Sequence, residues 1–413
     1  MPLITPFAGL RPKQEFAEDV VAPPYDVLNT EEARERVAGR PRSFLHISKP
    51  EIDLPVGTNP FDAAVYAKGA ENLNNLVSEG VLFRDSSPCY YVYKLVMGKH
   101  QQYGLVAAAS VADYDTNRIR KHEFTRPEKE DDRVRQIDAL NAQTGPVFLT
   151  YRHNKVIDGI VSEVCKTTPE YDLTADDGVQ HTIWVVNDTS LIETITATFD
   201  AMDCLYIADG HHRSAAASRV AAQRKNKTNN SSDNATHDYF LSVIFPDNQM
   251  QILDYNRVMT DLNGLSSSEF LEKVAVNFDI KEAASEVKPT CAKTFGMFLA
   301  GKWYALTLND NLYPANDPVA RLDVSLLQNH LVTSILGIDD PRRDKRIDFV
   351  GGIRGLKELE KRVNSGEMAV AFALYPTSLD ALMAVADADE VMPPKSTWFE
   401  PKLADGLVSL VLD

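Results

Sequence analysis

One segment constrains this chain more than any other: a buried strand that runs into a glycine turn and then into a helix. The letters CLYIA at 204–208 predict the strand, and the alanine-rich run at 214–225 predicts a helix that begins at about Ser214. Between them, Asp209 and Gly210 form the turn, because glycine accepts a positive φ. The first N–H groups of a helix lack partners within it, and the helix dipole attracts anions to them. This segment therefore predicts a phosphate cradle.

Three donor side chains stand at the predicted helix mouth: His211, His212 and Arg213. They favour an anion site over a purely structural turn in which Asp209 caps the helix. A metal site is a second alternative, but neighbouring histidine side chains diverge and the four cysteines show no zinc spacing. The residues around the turn, with Ser214, are therefore predicted to hold phosphate groups.

A basic run, RIRKHEFTR at 118–126, is the positive part of a chain whose net charge is −16. An acidic protein needs such a patch to attract an anionic substrate. Glu123 is flanked by cations and by His122, so it is predicted to stay ionised and to accept a proton from a substrate hydroxyl. We expect His122 and Glu123 to be functional and Arg120 to contact an anion. A solvated, ion-paired helix start is the better interpretation of 128–133.

The run VMPPKSTWFEPK at 391–402 is stiffened by two consecutive prolines. Its donors, Lys395, Ser396, Thr397 and Lys402, fit a phosphate or carboxylate contact, and a rigid packing segment is equally compatible. Two weaker motifs are VAPPYDV at 21–27, for which packing is the simpler account, and the glycine-rich FVGGIRG at 349–355, which matches no specific phosphate-binding pattern.

The remaining pattern is a mixture of helices and antiparallel strand pairs, which predicts a mixed α/β (α+β) fold rather than a regular βαβ array. Hairpins are predicted from 89–97 with 102–111 and from 239–245 with 251–258. SFLHIS at 43–48 predicts a buried strand, and the polar run at 226–237 a surface loop.

We divide the chain into an N-terminal α/β region (1–110), a catalytic core (111–260) and a C-terminal α/β region (261–413). The acidic balance argues against nucleic-acid binding. The start of the chain has neither a signal peptide nor an anchor, and no run is apolar enough to cross a membrane, so a cytoplasmic location is expected. Serine hydrolase chemistry lacks its GxSxG elbow.

Nearly the whole chain resembles a family known as a domain of unknown function, through motifs that occur in order: ITPFAGLRP, VAPPYDV, SFLHISKPEIDLP, KHEFTRPEKEDDR, TGPVFLTY, ADGHHRSAAA, YNRV, IDFVGG and MPPKSTWFEPK. That family is similar to the ParB/sulfiredoxin-like superfamily, whose nucleotide phosphates lie on a strand–turn–helix motif. It resembles in particular free L-serine kinases, which carry the DGHHR element and a KxHE-like element upstream. The resemblance implies a ParB/sulfiredoxin-like core with large insertions and a C-terminal extension.

The resemblance also implies a reaction, the transfer of a phosphoryl group from ATP or ADP to free L-serine, which gives O-phosphoserine. By analogy Glu123 is the general base, with His122 beside it. Asp209 orients the hydroxyl or holds Mg²⁺. Gly210 and the three donors that follow it bind the nucleotide phosphates. The serine-binding residues do not follow from the resemblance.

Two other functions remain open from the sequence. The same site suits phosphoserine hydrolysis or another phosphate-ester reaction. It also suits a non-catalytic regulator that binds a nucleotide. In each case the partners are small molecules, L-serine or phosphoserine and a nucleotide.

Overall fold

A computed structural model gives the fold and describes residues 1–227 and 235–413, so most of the polar run at 226–237 lies outside the described residues. The chain forms two compact units, residues 1–250 with 401–413, and residues 251–400. The division into three regions made from the sequence stays a prediction. Within the described ranges, no helix is both long and apolar enough to cross a membrane.

The first unit contains nine α-helices among its described residues: α1 (Ala17–Val20), α2 (Thr30–Arg36), α3 (Leu45–Ser48), α4 (Ala63–Ser78), α5 (Val111–Asp115), α6 (Pro127–Leu140), α7 (Lys155–Val164), α8 (Thr189–Asp200) and α9 (His211–Lys227). Its strands are β1 (Ile4–Thr5), β2 (Leu10–Pro12), β3 (Leu82–Arg84), β4 (Tyr90–Met97), β5 (His100–Ser110), β6 (Ile119–Arg120), β7 (Ala142–Gln143), β8 (Val147–Tyr151), β9 (Tyr171–Thr174), β10 (Gln180–Val186), β11 (Leu205–Asp209), β12 (Tyr239–Pro246) and, from the end of the chain, β21 (Leu410–Val411).

A nine-stranded sheet organises the first unit, in the order β6-β11-β8-β12-β5-β4-β10-β9, with β1 paired to β5. The pairs β6–β11 and β8–β12 are parallel and the other neighbours are antiparallel. The predicted mixed α/β class is therefore confirmed. Every residue of β8 and β12 is buried, as expected for central strands covered on both faces.

The second unit is built on a six-stranded antiparallel sheet, in the order β15-β17-β16-β19-β14-β18, beside the small pair β13–β20. Its strands are β13 (Gln251–Leu253), β14 (Tyr255–Met259), β15 (Phe278–Ala283), β16 (Thr294–Leu299), β17 (Lys302–Leu308), β18 (Ile347–Gly351), β19 (Val370–Leu374) and β20 (Trp398–Glu400). Its α-helices are α10 (Ser267–Val274), α11 (Asp323–Leu327), α12 (Leu356–Asn364) and α13 (Leu379–Asp387), and a π-helical stretch (Gln328–Thr333) follows α11.

Two local predictions are wrong. SFLHIS contains the short helix α3 rather than a strand, because a brief buried apolar run has no periodicity that separates the two. The segments 239–245 and 251–258 do not form a hairpin. β12 already has β5 and β8 on its two edges, so β13 pairs with β20 and β14 with β18 and β19. The β4–β5 hairpin is confirmed.

Candidate functional site

The candidate site lies at the N-terminal mouth of α9, where the buried strand β11 ends. Gly210 has a φ of +96°, as the predicted tight turn requires. The helix begins at His211, not at Ser214, because Arg213 N and Ser214 N both donate to the Gly210 carbonyl and so extend the first turn backwards. A side chain at 210 would place its Cβ 3.3 Å from Val147 Cα. Glycine is therefore required both by the backbone angle and by the neighbouring strand.

The two tandem histidines fasten the basic segment to this helix mouth. The Nε2 atom of His211 accepts the backbone N–H of His122 at 3.4 Å, and the Nε2 atom of His212 accepts that of Arg126 at 3.0 Å. An imidazole that accepts at Nε2 carries its proton on Nδ1 and is neutral. Two motifs that lie far apart in sequence are thus held together by backbone-to-imidazole hydrogen bonds.

Both histidines have lowered pKa values, so they do not supply cations to a phosphate at neutral pH. Burial lowers the pKa of His211, and the neighbouring His122 lowers it further. Burial also lowers the pKa of His212, assisted by the nearby charge of Arg126. Within the described part of the chain, the Nδ1–H of His212 meets no acceptor. It can donate a neutral hydrogen bond to an anion at the helix mouth.

Glu123 is brought to the same mouth. Its Oε2 atom lies 3.8 Å from Nδ1 of His211, the atom that carries the proton, and 51% of its side chain is exposed. His122, in contrast, is buried, with its ring 4.4 Å from that of His211 at an angle of 85°. Burial lowers the pKa of His122 to about 4, and its Nδ1 atom has no hydrogen-bond partner. The structure therefore places the carboxylate, rather than His122, where a ligand can reach it.

Asp209 is tied to the turn and to Lys402, one of the donors that the sequence predicts for a phosphate or carboxylate contact. Its Oδ1 atom accepts the N–H of Gly210 at 2.8 Å, and its Oδ2 atom accepts from Nζ of Lys402 at 3.2 Å. Burial raises the pKa of this carboxyl, but Lys402 and Arg213 outweigh that effect and hold the pKa below its ordinary value. Asp209 is therefore ionised at neutral pH.

Arg213 turns its guanidinium toward the first loop of the chain. It donates to Pro146 O at 2.8 Å and to Asp26 Oδ2 at 3.3 Å, and it stacks over Tyr25 at 5.3 Å. Arg133 stacks over the same ring at 3.9 Å. The VAPPYDV motif, for which packing was the simpler account, thus reaches the helix mouth through Tyr25 and Asp26. Arg133, interpreted from sequence as part of a solvated helix start, is largely buried beside them.

Asp405 is a site residue that the sequence reasoning missed. It is 1% exposed, and its Oδ1 atom has no hydrogen-bond partner. Burial raises its pKa to about 7, against the opposing charges of Arg213 and Arg133 and with a contribution from Asp26. The signal that could have found it is an acid inside the apolar run LADGLVSLVL at 403–412, because a buried acid in such a run needs a partner.

The other predicted residues occupy different surroundings. Arg120 lies on β6 with its guanidinium 5.8 Å from the Tyr206 ring of β11. Ser214 is fully buried, and its hydroxyl donates to His211 O at 3.0 Å, within its own helix. Lys395, Ser396 and Thr397 belong to the second unit. Contacts of these five residues with a nucleotide stay predictions.

The glycines of FVGGIRG serve close packing. A Cβ at Gly351 would lie 2.7 Å from the Trp398 ring, and one at Gly352 would lie 2.5 Å from Asp254 Oδ1. This observation favours packing over a phosphate loop.

The described residues contain no group of three or more His, Cys, Asp or Glu side chains that could hold a metal ion by themselves. At the helix mouth, each oxygen of Asp209 has one protein donor and a second lone pair free for a cation. Magnesium is commonly bound by one or two carboxylates together with phosphate oxygens and water. The donor set therefore fits a Mg²⁺ ion that enters with a nucleotide, and does not fit a permanent metal centre.

Solved structures with a distant likeness to this chain were found. A free serine kinase in complex with AMP is 13% identical over 75% of this chain and 91% of its own, with a TM-score of 0.37. SbnI with a C-terminal truncation from Staphylococcus aureus is 12% identical over 74% of this chain and 87% of its own, with a TM-score of 0.38. A conserved hypothetical protein from Pyrococcus furiosus is 15% identical over 73% and 94%, with a TM-score of 0.35. At these scores the likeness assigns neither a superfamily nor an activity.

A search of curated proteins finds no match to the chain. Residues 4–325, however, match the family described as protein of unknown function DUF1015. The match covers most of the sequence, including His122, Glu123 and the segment 209–214, whereas Lys402 and Asp405 lie beyond it. The chain belongs to the DUF1015 family.

Proposed function

We propose that the first unit transfers a phosphoryl group from ATP or ADP to the hydroxyl of free L-serine, giving O-phosphoserine. The observation that carries this proposal is the half-exposed carboxylate of Glu123 at the N-terminal mouth of α9, 3.8 Å from Nδ1 of His211. Phosphoryl transfer asks for little covalent help from a protein beyond positioning, cations near the phosphates and a group that accepts the hydroxyl proton. The helix mouth offers each of these.

The phosphate side of the reaction is supported by backbone and side-chain donors at the helix mouth. The first amides of α9 lack partners within the helix, and the dipole favours a negative group there. The Nδ1–H of His212 and the ammonium of Lys402 add side-chain donors. The guanidinium of Arg213 donates to Pro146 and Asp26, and it has further N–H groups that can donate to a phosphate oxygen.

The acceptor side is supported by the pairing of Glu123 with His211. Because Nε2 of His211 accepts from the backbone of His122, its proton sits on Nδ1, which faces the carboxylate. A neutral His211 beside Glu123 therefore does not compete for the proton that Glu123 takes from the serine hydroxyl. Its neutrality also leaves the carboxylate as the basic group of the pair.

Asp209 is the residue that would hold Mg²⁺ when the nucleotide is bound. The ion would neutralise charge on the phosphate oxygens, which is its usual contribution to phosphoryl transfer. In the absence of the ion, Lys402 supplies the positive charge next to Asp209.

The direct test incubates the full chain with L-serine, Mg²⁺ and either ATP or ADP and looks for O-phosphoserine by mass spectrometry. We expect product with at least one nucleotide and none without nucleotide. Release of phosphate from O-phosphoserine in the absence of nucleotide would instead identify a phosphate-ester hydrolase. Nucleotide binding with no product of either kind would identify a binding regulator. Both results would overturn the kinase proposal.

A further inference from the structure

Residues of three sequence motifs that take no part in the proposed reaction meet in the second unit. Tyr255 of YNRV packs against Phe349 of IDFVGG, with ring centroids 6.1 Å apart, and against Trp398 of MPPKSTWFEPK, at 5.1 Å and 89°. These rings, from β14, β18 and β20, form one aromatic cluster. Motif positions that were separate along the chain thus build a single local structure.

Arg257 is a buried cation within this cluster, with 5% of its surface exposed. Its guanidinium lies 5.1 Å from the Phe349 ring and donates to three backbone carbonyls: Tyr255 O, Lys395 O at 3.0 Å and Pro394 O at 3.5 Å. A guanidinium has five N–H donors, so two of them have no acceptor among the described residues.

No carboxylate balances the charge of Arg257 within the described residues. Of the nearby acids, Asp254 accepts from the side chain of Asn256 at 2.5 Å and Glu400 accepts from Nε1 of Trp398 at 2.8 Å. Burial lowers the pKa of Arg257 to about 10. Burying an unpaired charge is costly, and the cost is ordinarily met by an oppositely charged partner. In a chain of net charge −16, an arginine without an acidic partner is an unusual choice.

A second cation lies on the turn that Arg257 holds. Lys395 is exposed, and its Nζ atom lies 5.6 Å from the centre of the Tyr255 ring. Its φ is +59°, a conformation that non-glycine residues adopt at a cost. The turn is fixed on both sides, because Ser396 donates to Pro393 O at 2.6 Å and Thr377 donates to Ser396 O at 2.9 Å. The fold therefore keeps a lysine at a positive φ, and the backbone carbonyl of that same residue accepts from the buried Arg257.

We propose that Arg257 and Lys395 bind a dianionic phosphate group of a small molecule in the second unit. Two positive charges without acidic partners match the charge of a phosphate monoester at neutral pH. The planar guanidinium and the mobile ammonium are the two side chains that most often bind phosphate oxygens. Carbonyl contacts would hold Arg257 in place while its remaining N–H groups face the anion. This site goes beyond the serine kinase proposal and does not depend on it.

The test is isothermal titration calorimetry of the full chain with three separate probes: inorganic phosphate, ATP and O-phosphoserine. Three variants are compared with the wild type. Lys395→Gly removes the ammonium and relieves the positive φ, so it keeps the fold. Arg257→Lys keeps the charge and loses the planar donor set. Lys288→Ala, at another exposed lysine of the same unit, is the matched control.

We expect Lys395→Gly and Arg257→Lys each to weaken binding of at least one probe by about tenfold to a hundredfold, as loss of a charged hydrogen bond implies. Lys288→Ala should bind as the wild type does. Arg213→Ala, which alters the helix mouth, serves as a second background: adding Lys395→Gly to it should cause the same further loss of affinity as in the wild type, because the two sites are separate. The probe that responds shows whether the phosphate is free, on a nucleotide or on phosphoserine.

Wild-type affinity in Lys395→Gly for all three probes would overturn the proposal, even if Arg257→Lys failed to fold. An equal loss in Lys395→Gly and Lys288→Ala would overturn it as well, because it would show general charge attraction. So would loss in Arg213→Ala alone, which would assign the observed binding to the helix mouth of α9. Activity of the kinase is measured in none of these titrations, so the failure of either proposal is visible separately.

Discussion

The two units each bury an arginine, but they balance its charge in different ways. Arg213, in the first unit, faces Asp26 and lies close enough to Asp405 and Asp209 for all three carboxylates to favour its charged form. Arg257, in the second unit, donates only to backbone carbonyls. Burial lowers the pKa of both, and the acids around Arg213 reverse that effect, whereas nothing reverses it at Arg257.

This difference separates two uses of a buried cation. An arginine that already has counter-ions is part of the scaffold. It fixes the loop of Tyr25 and Asp26 against the start of β8, and a ligand adds to a site that is complete without it. An arginine without counter-ions leaves a local excess of charge, which an anion would remove. The first arrangement suits a catalytic mouth that must be ready before the substrate arrives, and the second suits a binding site.

The largest expected effect is on the reaction of the first unit. Glu123→Gln keeps the shape of the side chain and removes its ability to accept a proton. Loss of a general base typically costs about 10²- to 10⁴-fold in rate. We expect kcat for phosphoserine formation to fall by that amount, with nucleotide affinity changed by less than about threefold, measured by product formation and by calorimetry.

Glu128→Gln is the control for this prediction, because Glu128 is also an exposed acid, in the first turn of α6. It should leave kcat unchanged. Equal losses in the two variants, or loss of nucleotide binding in Glu123→Gln, would contradict the assigned role.

The next largest effect is the loss of folding stability when either buried arginine is replaced by methionine. Arg213→Met removes the cation beside Asp26 and one of the two cations beside Asp405. Because the Asp26 side chain is 47% exposed and Arg133 still faces Asp405, we expect a loss at the lower end of the about 3–5 kcal/mol that breaking a buried ion pair typically costs. Arg257→Met deprives only neutral carbonyls of donors, which costs about 1–3 kcal/mol. Chemical denaturation followed by the fluorescence of each unit should therefore show the larger loss for Arg213→Met. A larger loss for Arg257→Met would show that its carbonyl contacts, not its charge, dominate.

The sequence was most informative where one residue type has a single physical reason to be present. Gly210 was expected to have a positive φ, and it does, because a turn between a buried strand and a helix leaves few other solutions. The mixed sheet and the β4–β5 hairpin followed from strand alternation. Sequence alone could not reveal that His211 and His212 accept backbone N–H groups, because that role depends on the fold of 122–126 against the helix.

Other features could not be predicted from the sequence because they depend on the folded surroundings. Arg133 has no distinctive local pattern, and the apolar run around Asp405 indicates a buried acid without showing which distant cations face it. The predicted start of α9 is too late because the two histidines have only modest helix propensity, whereas the hydrogen bonds to Gly210 O set the boundary. SFLHIS was too short and too apolar for its periodicity to distinguish a strand from a helix.

A smaller effect is expected from the acid that faces Arg213. With a folded-state pKa of about 7 against an ordinary value of 3.8, Asp405 binds its proton more tightly in the folded chain than in the unfolded one. Its contribution to stability is therefore fully present below about pH 4 and is lost as the pH rises through about 7. The groups that face it are Arg213, Arg133, Asp26 and the backbone of Tyr25.

Asp405→Asn mimics the protonated carboxyl at every pH. We expect the variant to be more stable than the wild type at pH 8, by at most about 4 kcal/mol, and equal to it near pH 4. Thermal unfolding at the two pH values measures the difference. If the stability of Asp405→Asn relative to the wild type is instead lower at pH 8 than at pH 4, Arg213 needs the ionised carboxylate.

The smallest effect concerns two glycines that cap a helix in each unit. Gly210 precedes α9 and Gly355 precedes α12, and their φ angles are +96° and +70°. Alanine at either position must adopt a positive φ, which costs about 1–2 kcal/mol. A Cβ at 355 would meet no atom within 4 Å, whereas one at 210 would lie 3.3 Å from Val147 Cα, an atom of the backbone that cannot rotate away.

Gly210→Ala should therefore lose more stability than Gly355→Ala. It alone should weaken nucleotide binding, because it displaces the amides at the mouth of α9. Equal nucleotide affinity in the two variants would mean that the nucleotide does not dock on those amides.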